Sequence, residues 1–193
     1  AALADIAGLT APPSARDLGF ALGPRINAGG RIGEADLGLR LLAATCPHEA
    51  AALAERLDAL NRERREVEAA VMEAAAAQIE ARDPAAPLVW AAGEGWHPGV
   101  VGIVAGRLKE RFNRPAVVIG LDGAEGKGSG RSVAGIDLGA PMAALAREGL
   151  LLKGGGHRMA AGLTVAKAGL EAAMEALSAR LARQGAGALG PED

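Results

Sequence analysis

Aromatic side chains are scarce in this sequence, at only 2% of its 193 residues. They are two phenylalanines and two tryptophans, and there is no tyrosine. Proteins that hold single strands by stacking the bases need several exposed aromatic rings. We therefore expect that any nucleic acid bound here is gripped through phosphate and sugar, without regard to base sequence.

Cysteine, long apolar runs and excess charge are also lacking. The single cysteine, Cys46, excludes an internal disulfide and is predicted to be a small buried residue, which suits a reducing cytosol. No signal sequence and no membrane-spanning run is present, so we expect a cytoplasmic protein without a membrane partner. The net charge of −2 excludes a general attraction to nucleic acid, which would need a local cluster of arginines.

Half of the residues are apolar, so the chain is able to bury a core of its own. It begins with alanine, and we expect a fragment of a longer protein. Residues 1–35 predict a short helix followed by an irregular segment. Asp36 is a candidate N-cap for a helix from Leu37 to Thr45. Pro47 then suits the first turn of a helix to about Arg82, roughly 54 Å long at 1.5 Å per residue.

This long helix has a narrow apolar seam with charged pairs beside it. The seam comprises Leu53, Leu57, Leu60, Val67, Val71 and Ala74, and the pairs are Asp58/Arg62, Arg62/Glu66 and Arg64/Glu68. A lone helix of this kind covers little core, which favours a connection between two domains. A two-stranded coiled coil is the alternative.

From Pro87 onward strands and helices alternate, which predicts an α/β fold: a compact domain with a mixed β-sheet flanked by helices. Strands are predicted at Leu88–Ala92, Pro115–Leu121, Gly126–Val133 (or an extended loop there) and Leu163–Val165. Helices are predicted at His97–Phe112, from an Asp137 cap to Arg147, and at Ala168–Arg183. We divide the chain into an N-terminal part (1–46), a connecting helix (47–84), the α/β domain (85–184) and a loose tail (185–193).

The segment Ser129, Gly130, Arg131 and Ser132 offers two hydroxyls and a guanidinium among glycines. In an extended strand Ser129 and Arg131 lie on the same face, because side chains alternate with period two. A hydroxyl beside a guanidinium suits a phosphate. The alternative is a hairpin turn with an exposed arginine.

A second glycine-rich loop consists of Gly154, Gly155, Gly156 and His157, preceded by Lys153. Three consecutive glycines cost conformational entropy, which indicates a close approach of a ligand to the backbone. His157 is able to donate to a phosphate or sugar oxygen. A flexible turn with a solvated histidine is the alternative. His97, at the start of a predicted helix, is expected to bond the backbone, and Gly102 and Gly106 are expected to pack closely on the sheet.

The segment from Gly23 to Arg31 predicts a Gly/Pro-kinked loop carrying Arg25, Asn27 and Arg31. These side chains suit an anion or the guidance of a strand, although ordinary surface charge is the alternative. The aspartates are scattered and no Asp-x-Asp or Asp-His pair occurs, so we expect no metal ion bound by this chain and no catalytic residue in it.

Five segments in this order, LGPRINAGGR, LDALNRERREVE, WHPGVVGIVAGRLKERFNRP, KGSGRS and KGGGHRMAAGL, resemble the RecJ family of bacterial single-strand exonucleases, which are DHH phosphoesterases. The resemblance implies a parent enzyme that degrades single-stranded DNA from the 5′ end in repair and recombination. It implies Mn²⁺ or Mg²⁺ in a preceding DHH domain that is mostly absent here, and a DHH-associated domain that binds substrate.

On this resemblance, Ser129 and Arg131 would hold the 5′ phosphate or the adjacent backbone. Arg25 and Arg31 would line the path of the strand, and the loop from Gly154 to His157 would face the metal centre. Two other functions remain open. One is a different DHH phosphodiesterase acting on nanoRNA or cyclic dinucleotides. The other is a non-catalytic RNA- or nucleotide-binding module, like that attached to some alanyl-tRNA synthetases.

Overall fold

A computed structural model describes residues 2–186 of the chain. The chain divides into two compact units, Ala1–Val67 and Glu68–Asp193. In the first unit the helices are α1 (Ala2–Ile6), α2 (Ala15–Asp17), α3 (Gly23–Ile32), α4 (Leu37–Ala43) and the first part of α5 (Pro47–Arg82), and a π-helical turn (Leu18–Leu22) joins α2 to α3. Within residues 2–186, no helix is both long and apolar enough to cross a membrane.

The prediction of a kinked loop at Gly23–Arg31 was wrong, because these residues form helix α3. Pro24 lies in its first turn, where the missing N–H leaves no helical bond unmade. Gly29 is buried, and a side chain on it would lie 2.7 Å from the carbonyl oxygen of Glu34. The small residues therefore serve close helix packing in the first unit.

Helices α4 and α5 lie where the sequence predicts them. Asp36 occupies the N-cap position of α4, but its side chain makes no capping hydrogen bond. Leu53, Leu57 and Leu60 of α5 are buried, whereas Ala74 is exposed. Cys46, expected to be buried, is exposed just before α5, so that prediction was wrong. Four polar residues of α5 are buried as well: Asp58, Asn61, Arg64 and Glu68.

The second unit is the predicted mixed sheet with helices on both faces. Its strands are β1 (Val89–Glu94), β2 (Ala116–Asp122), β3 (Glu125–Arg131), β4 (Lys153–His157) and β5 (Ala160–Ala166), and its further helices are α6 (Pro98–Phe112), α7 (Gly139–Arg147) and α8 (Leu170–Ala182). The strand order is β1-β2-β3-β5-β4. Only β1 and β2 are parallel, joined through α6, and every other pair is antiparallel.

The two faces of this sheet bury different helices. Val117 and Ile119 of β2 join a core with Met142 of α7 and Leu177 of α8. Since side chains alternate along a strand, Val118 faces the opposite side, where α6 packs over β1, β2 and β3. Ala186 is buried in the α7–α8 core, and residues 187–193 of the predicted loose tail lie outside the described residues.

Strand β4 is a second element that differs from the sequence-based prediction. The segment from Lys153 to His157 was predicted to be a loop, but it is the edge strand of the sheet, paired antiparallel with β5. At the other edge, the amide of Gln78 in α5 accepts from the backbone N–H of Ala92 and donates to its carbonyl. These bonds occupy backbone groups of an edge strand that would otherwise be open to pairing.

Candidate functional site

The register of three strands brings a set of polar and small side chains onto one face of the sheet. On β3 the set is Lys127, Ser129 and Arg131; opposite them on β5 are Thr164, Gly162 and Ala160; and beyond those on β4 are Lys153, Gly155 and His157. We call this surface the basic face. It lies on the α6 side of the sheet, and Lys127, Gly162, Lys153 and His157 are exposed there.

Ser129 and Arg131 stand side by side on the basic face, as the period-two pattern predicts. The Nη1 of Arg131 donates to Ser129 Oγ at 2.8 Å and to the Gly130 carbonyl at 2.9 Å. These are the hydrogen bonds of Arg131 found within residues 2–186, and neither involves its Nε or Nη2. The serine hydroxyl accepts from the arginine and keeps its own proton to donate. The pair is thus preorganised to grip an oxyanion.

Helix α6 makes room for this pair with a glycine. A side chain on Gly102 would lie 3.1 Å from both Arg131 Nη2 and Ser129 Oγ. The expected close packing of α6 is therefore found at Gly102, and it is directed at the two site residues. At Gly106 the expectation was wrong, since a side chain there would meet nothing within 4 Å.

The glycines of the site fall into two groups with different physical roles. Added side chains at Gly130 and Gly154 would lie 2.6 Å from Leu138 Cδ2 and 2.7 Å from the Met142 carbonyl, and one at Gly156 would lie 2.4 Å from the Ala160 carbonyl. These three glycines allow neighbouring parts of the protein to pack against the strands. At Gly155 an added side chain meets nothing within 4 Å, so this glycine leaves the basic face open.

Three other residues named in the sequence analysis have defined positions in the second unit. Ser132 follows β3 and is buried, and its hydroxyl donates to the Ile136 carbonyl at 2.8 Å. Its proton therefore stabilises the loop before α7. His157 is exposed at the end of β4, in the same cross-strand row as Arg131. His97 caps α6 as expected, with Nδ1 accepting from the Gly99 N–H.

Sequence reasoning left out Lys127, Thr164 and Gly162 as binding residues, although they lie on the basic face. The signal for Lys127 was present in the sequence, because it is two residues before Ser129 and shares its period. Thr164 and Gly162 could not be found without the register of β5. No group of three His, Cys, Asp or Glu side chains within residues 2–186 is placed to hold a metal ion.

In the first unit, α3 separates the three predicted residues. Asn27 and Arg31 are exposed one helical turn apart, so they lie on one face. Arg25 is directed toward α5, where its Nε donates to Asp58 Oδ1 at 2.8 Å. Arg62, one turn along α5, also donates to Asp58, at 2.6 Å from Nη2 to Oδ2. Arg25 thus ties α3 to α5.

Asp58 makes the first unit sensitive to pH. Burial alone would raise the pKa of Asp58, but hydrogen bonds from Arg62 and Arg25 outweigh it and lower that pKa below 3.8. Its stabilising contribution is therefore complete above pH 3.8 and is lost as the pH falls through the lower folded value. We expect Asp58→Ala to cost about 2 kcal/mol at pH 7.

Urea unfolding followed by circular dichroism measures this effect. The difference between Asp58→Ala and wild type should shrink as the pH falls below 3.8. Arg56→Ala is the control, because Arg56 is an exposed arginine two residues before Asp58 and is not among the groups that lower its pKa, so its loss should cost little. A difference that stays constant down to pH 2 would show that the carboxylate is not held by these arginines.

Comparison with known proteins gives consistent matches. Residues 74–183 match the DHHA1 domain family. The single-stranded-DNA-specific exonuclease RecJ of Dickeya dadantii is 47% identical over 159 residues, which are 78% of this chain and 27% of that protein. The exonuclease RecJ of Bacillus subtilis is 41% identical over 150 residues, which are 77% of this chain and 19% of that protein.

Solved structures agree with these matches. The crystal structure of RecJ in complex with Mg²⁺ from Thermus thermophilus superposes with a TM-score of 0.81 and 36% sequence identity, covering 94% of this chain and 28% of that one. A Mn²⁺ complex from the same organism gives a TM-score of 0.80. The chain thus spans less than a third of the length of each of these relatives.

Proposed function

This chain belongs to the DHHA1 domain family, and from that premise we propose that it is the substrate-binding part of a cytoplasmic, RecJ-type exonuclease. The proposed parent enzyme removes nucleotides from single-stranded DNA in the 5′-to-3′ direction during repair and recombination. The observation that carries the proposal is the Ser129–Arg131 pair, which lies on the same face as Gly155. We call the uncovered surface at Gly155 the floor of the basic face.

In this proposal the pair binds the 5′-terminal phosphate. Arg131 presents Nε and Nη2, and Ser129 adds a hydroxyl, so a phosphate would receive up to three hydrogen bonds. None of these groups contacts a base edge, which accounts for binding without regard to sequence. His157, in the same row, would donate to the phosphate or sugar of that nucleotide. Asn27 and Arg31 of α3 would guide the strand.

The Thermus structures contain Mg²⁺ or Mn²⁺. The side chains of residues 2–186 do not form a ligand group for such an ion. The role proposed for this chain is therefore to bind and orient the strand, and hydrolysis is assigned to residues outside that range. Orientation alone is a large part of such catalysis, because the attacked bond must be held in a fixed geometry.

Arg131→Ala tests the proposal. We expect the variant to bind a 5′-phosphorylated single-stranded oligonucleotide about tenfold more weakly than wild type, since it loses a charged phosphate contact. Binding of the same oligonucleotide with a 5′ hydroxyl should change little. Fluorescence anisotropy at one fixed salt concentration measures both affinities, because salt alone changes them.

Arg147→Ala is the matched control, since Arg147 is an exposed arginine at the end of α7, which packs on the opposite face of the sheet. It should leave both affinities unchanged. Equal binding of the phosphorylated strand by Arg131→Ala and wild type would refute the phosphate assignment. Stronger competition by a dinucleotide or by a structured RNA than by the oligonucleotide would instead favour the two other functions.

A further inference from the structure

We propose that the basic face binds a second phosphate of the same DNA strand, an internal one. This phosphate would lie between Lys127 and Lys153, at the end of the basic face away from Arg131. The inference rests on the proposed function and extends it, because it assigns the length of strand that this face contacts. It also gives Lys127, Lys153 and Thr164 a binding role.

The first argument is the register. Lys127 of β3 pairs with Thr164 of β5, and Thr164 pairs with Lys153 of β4. Directly opposed residues in antiparallel strands have Cβ atoms about 5 Å apart. The two lysine Cβ atoms therefore lie about 10 Å apart, with the threonine between them. Both ammonium groups can reach one anion above Thr164, whose hydroxyl is a third donor.

The second argument is the pairing of the lysines. The chain has four lysines, all within residues 2–186. Lys167 pairs with Glu94 and Lys109 pairs with Glu110. Lys127 and Lys153 are both exposed, and no ion pair of either one occurs within the described part of the chain. Two like charges are thus held in one cross-strand row without a carboxylate partner, an arrangement that an anionic ligand would stabilise.

The third argument is the spacing. Arg131 is four positions after Lys127, about 13 Å along an extended strand. This distance exceeds the roughly 3.4 Å rise per nucleotide of a stacked strand, so the two ends contact phosphates of different nucleotides. Between them the cross-strand row of Ser129, Gly162 and Gly155 carries no charge. Glu125, the next residue of this face beyond Lys127, ends the basic stretch.

Oligonucleotide length tests the inference. The ligands are thymidine 5′-monophosphate, measured by calorimetry, and a 5′-phosphorylated tetranucleotide of thymidine, measured by fluorescence anisotropy. For the double variant Lys127→Ala/Lys153→Ala, we expect tetranucleotide binding to weaken about tenfold and mononucleotide binding to stay unchanged. The slope of log affinity against log salt for the tetranucleotide should fall in magnitude by about 0.7, the value for one phosphate contact on a single strand.

The double variant Lys109→Ala/Lys167→Ala is the control, since it removes the same charge from the two ion-paired lysines. It should bind both ligands as wild type does. Equal affinity of the Lys127/Lys153 variant and wild type for the tetranucleotide would overturn the inference, and so would an equal loss for both ligands. Arg131→Ala, in contrast, should weaken both ligands. If it weakens neither, the proposed function fails, whatever the lysine variants show.

Discussion

Gly120→Ala should destabilise the second unit by about 3 kcal/mol or more, although it adds a single methyl group. A Cβ at this position would lie 2.0 Å from the backbone oxygen of Trp96 and 3.1 Å from its carbonyl carbon. The obstacle is backbone, so no side-chain rotation removes it. Strand β2 cannot shift away either, because Gly120 pairs with Gly93 of β1 on one side and Lys127 of β3 on the other.

Urea denaturation measures this loss, and Gly106→Ala is the matched control. The chemical change is the same, but an added side chain at Gly106 meets nothing within 4 Å in the interior of α6. Replacing glycine by alanine in a helix then stabilises it by up to about 1 kcal/mol. The two variants should therefore move the unfolding midpoint in opposite directions. A stabilised Gly120→Ala would mean that Trp96 does not lie against β2.

The position of Trp96 matters for the site because it leads directly into α6. His97 follows it and caps the helix, and Gly102 of the same helix lies against Ser129 and Arg131. A close backbone approach at Gly120 thus fixes the start of the helix that packs on the binding pair. Gly102 is the residue at which α6 contacts Ser129 and Arg131.

The alternation of strands and helices after Pro87 could be predicted because each buried element carries its own period. The apolar run of β2 and the Pro98 start of α6 are local signals, and the structure confirms both. Strand β4 carries no such signal. Its three glycines have little intrinsic preference for a strand, and its structure comes from pairing with β5. A tertiary contact, and not the local sequence, therefore determines the conformation of this segment.

The site, like the fold, could be predicted in part from local sequence signals. Period two placed Ser129 and Arg131 on one face, and the register of β3 agrees. The roles of the glycines were not predictable, because the sequence does not show which side of a strand is covered. Gly154 and Gly155 are neighbours in one triplet, yet one adjoins the Met142 carbonyl and the other faces open space.

This difference leads to the prediction with the largest effect on binding. Gly155→Val should leave the chain folded, since nothing lies within 4 Å of the added Cβ and its backbone lies outside the left-handed region. The same change should weaken binding of a 5′-phosphorylated tetranucleotide by about 50-fold or more. A branched side chain on the floor would lift the strand away from both ends of the basic face, so more than one charged contact is lost.

The measurement is anisotropy at fixed salt, with urea unfolding on the same samples to show that the fold is retained. Gly155→Ala should give an intermediate affinity, because binding falls with the volume placed on the floor. Ala172→Val, on the exposed side of α8, adds a similar volume on the opposite face of the sheet and should change nothing. A folded Gly155→Val that binds as tightly as wild type would show that the strand does not cross the sheet between β3 and β4, and the basic face would lose its assignment.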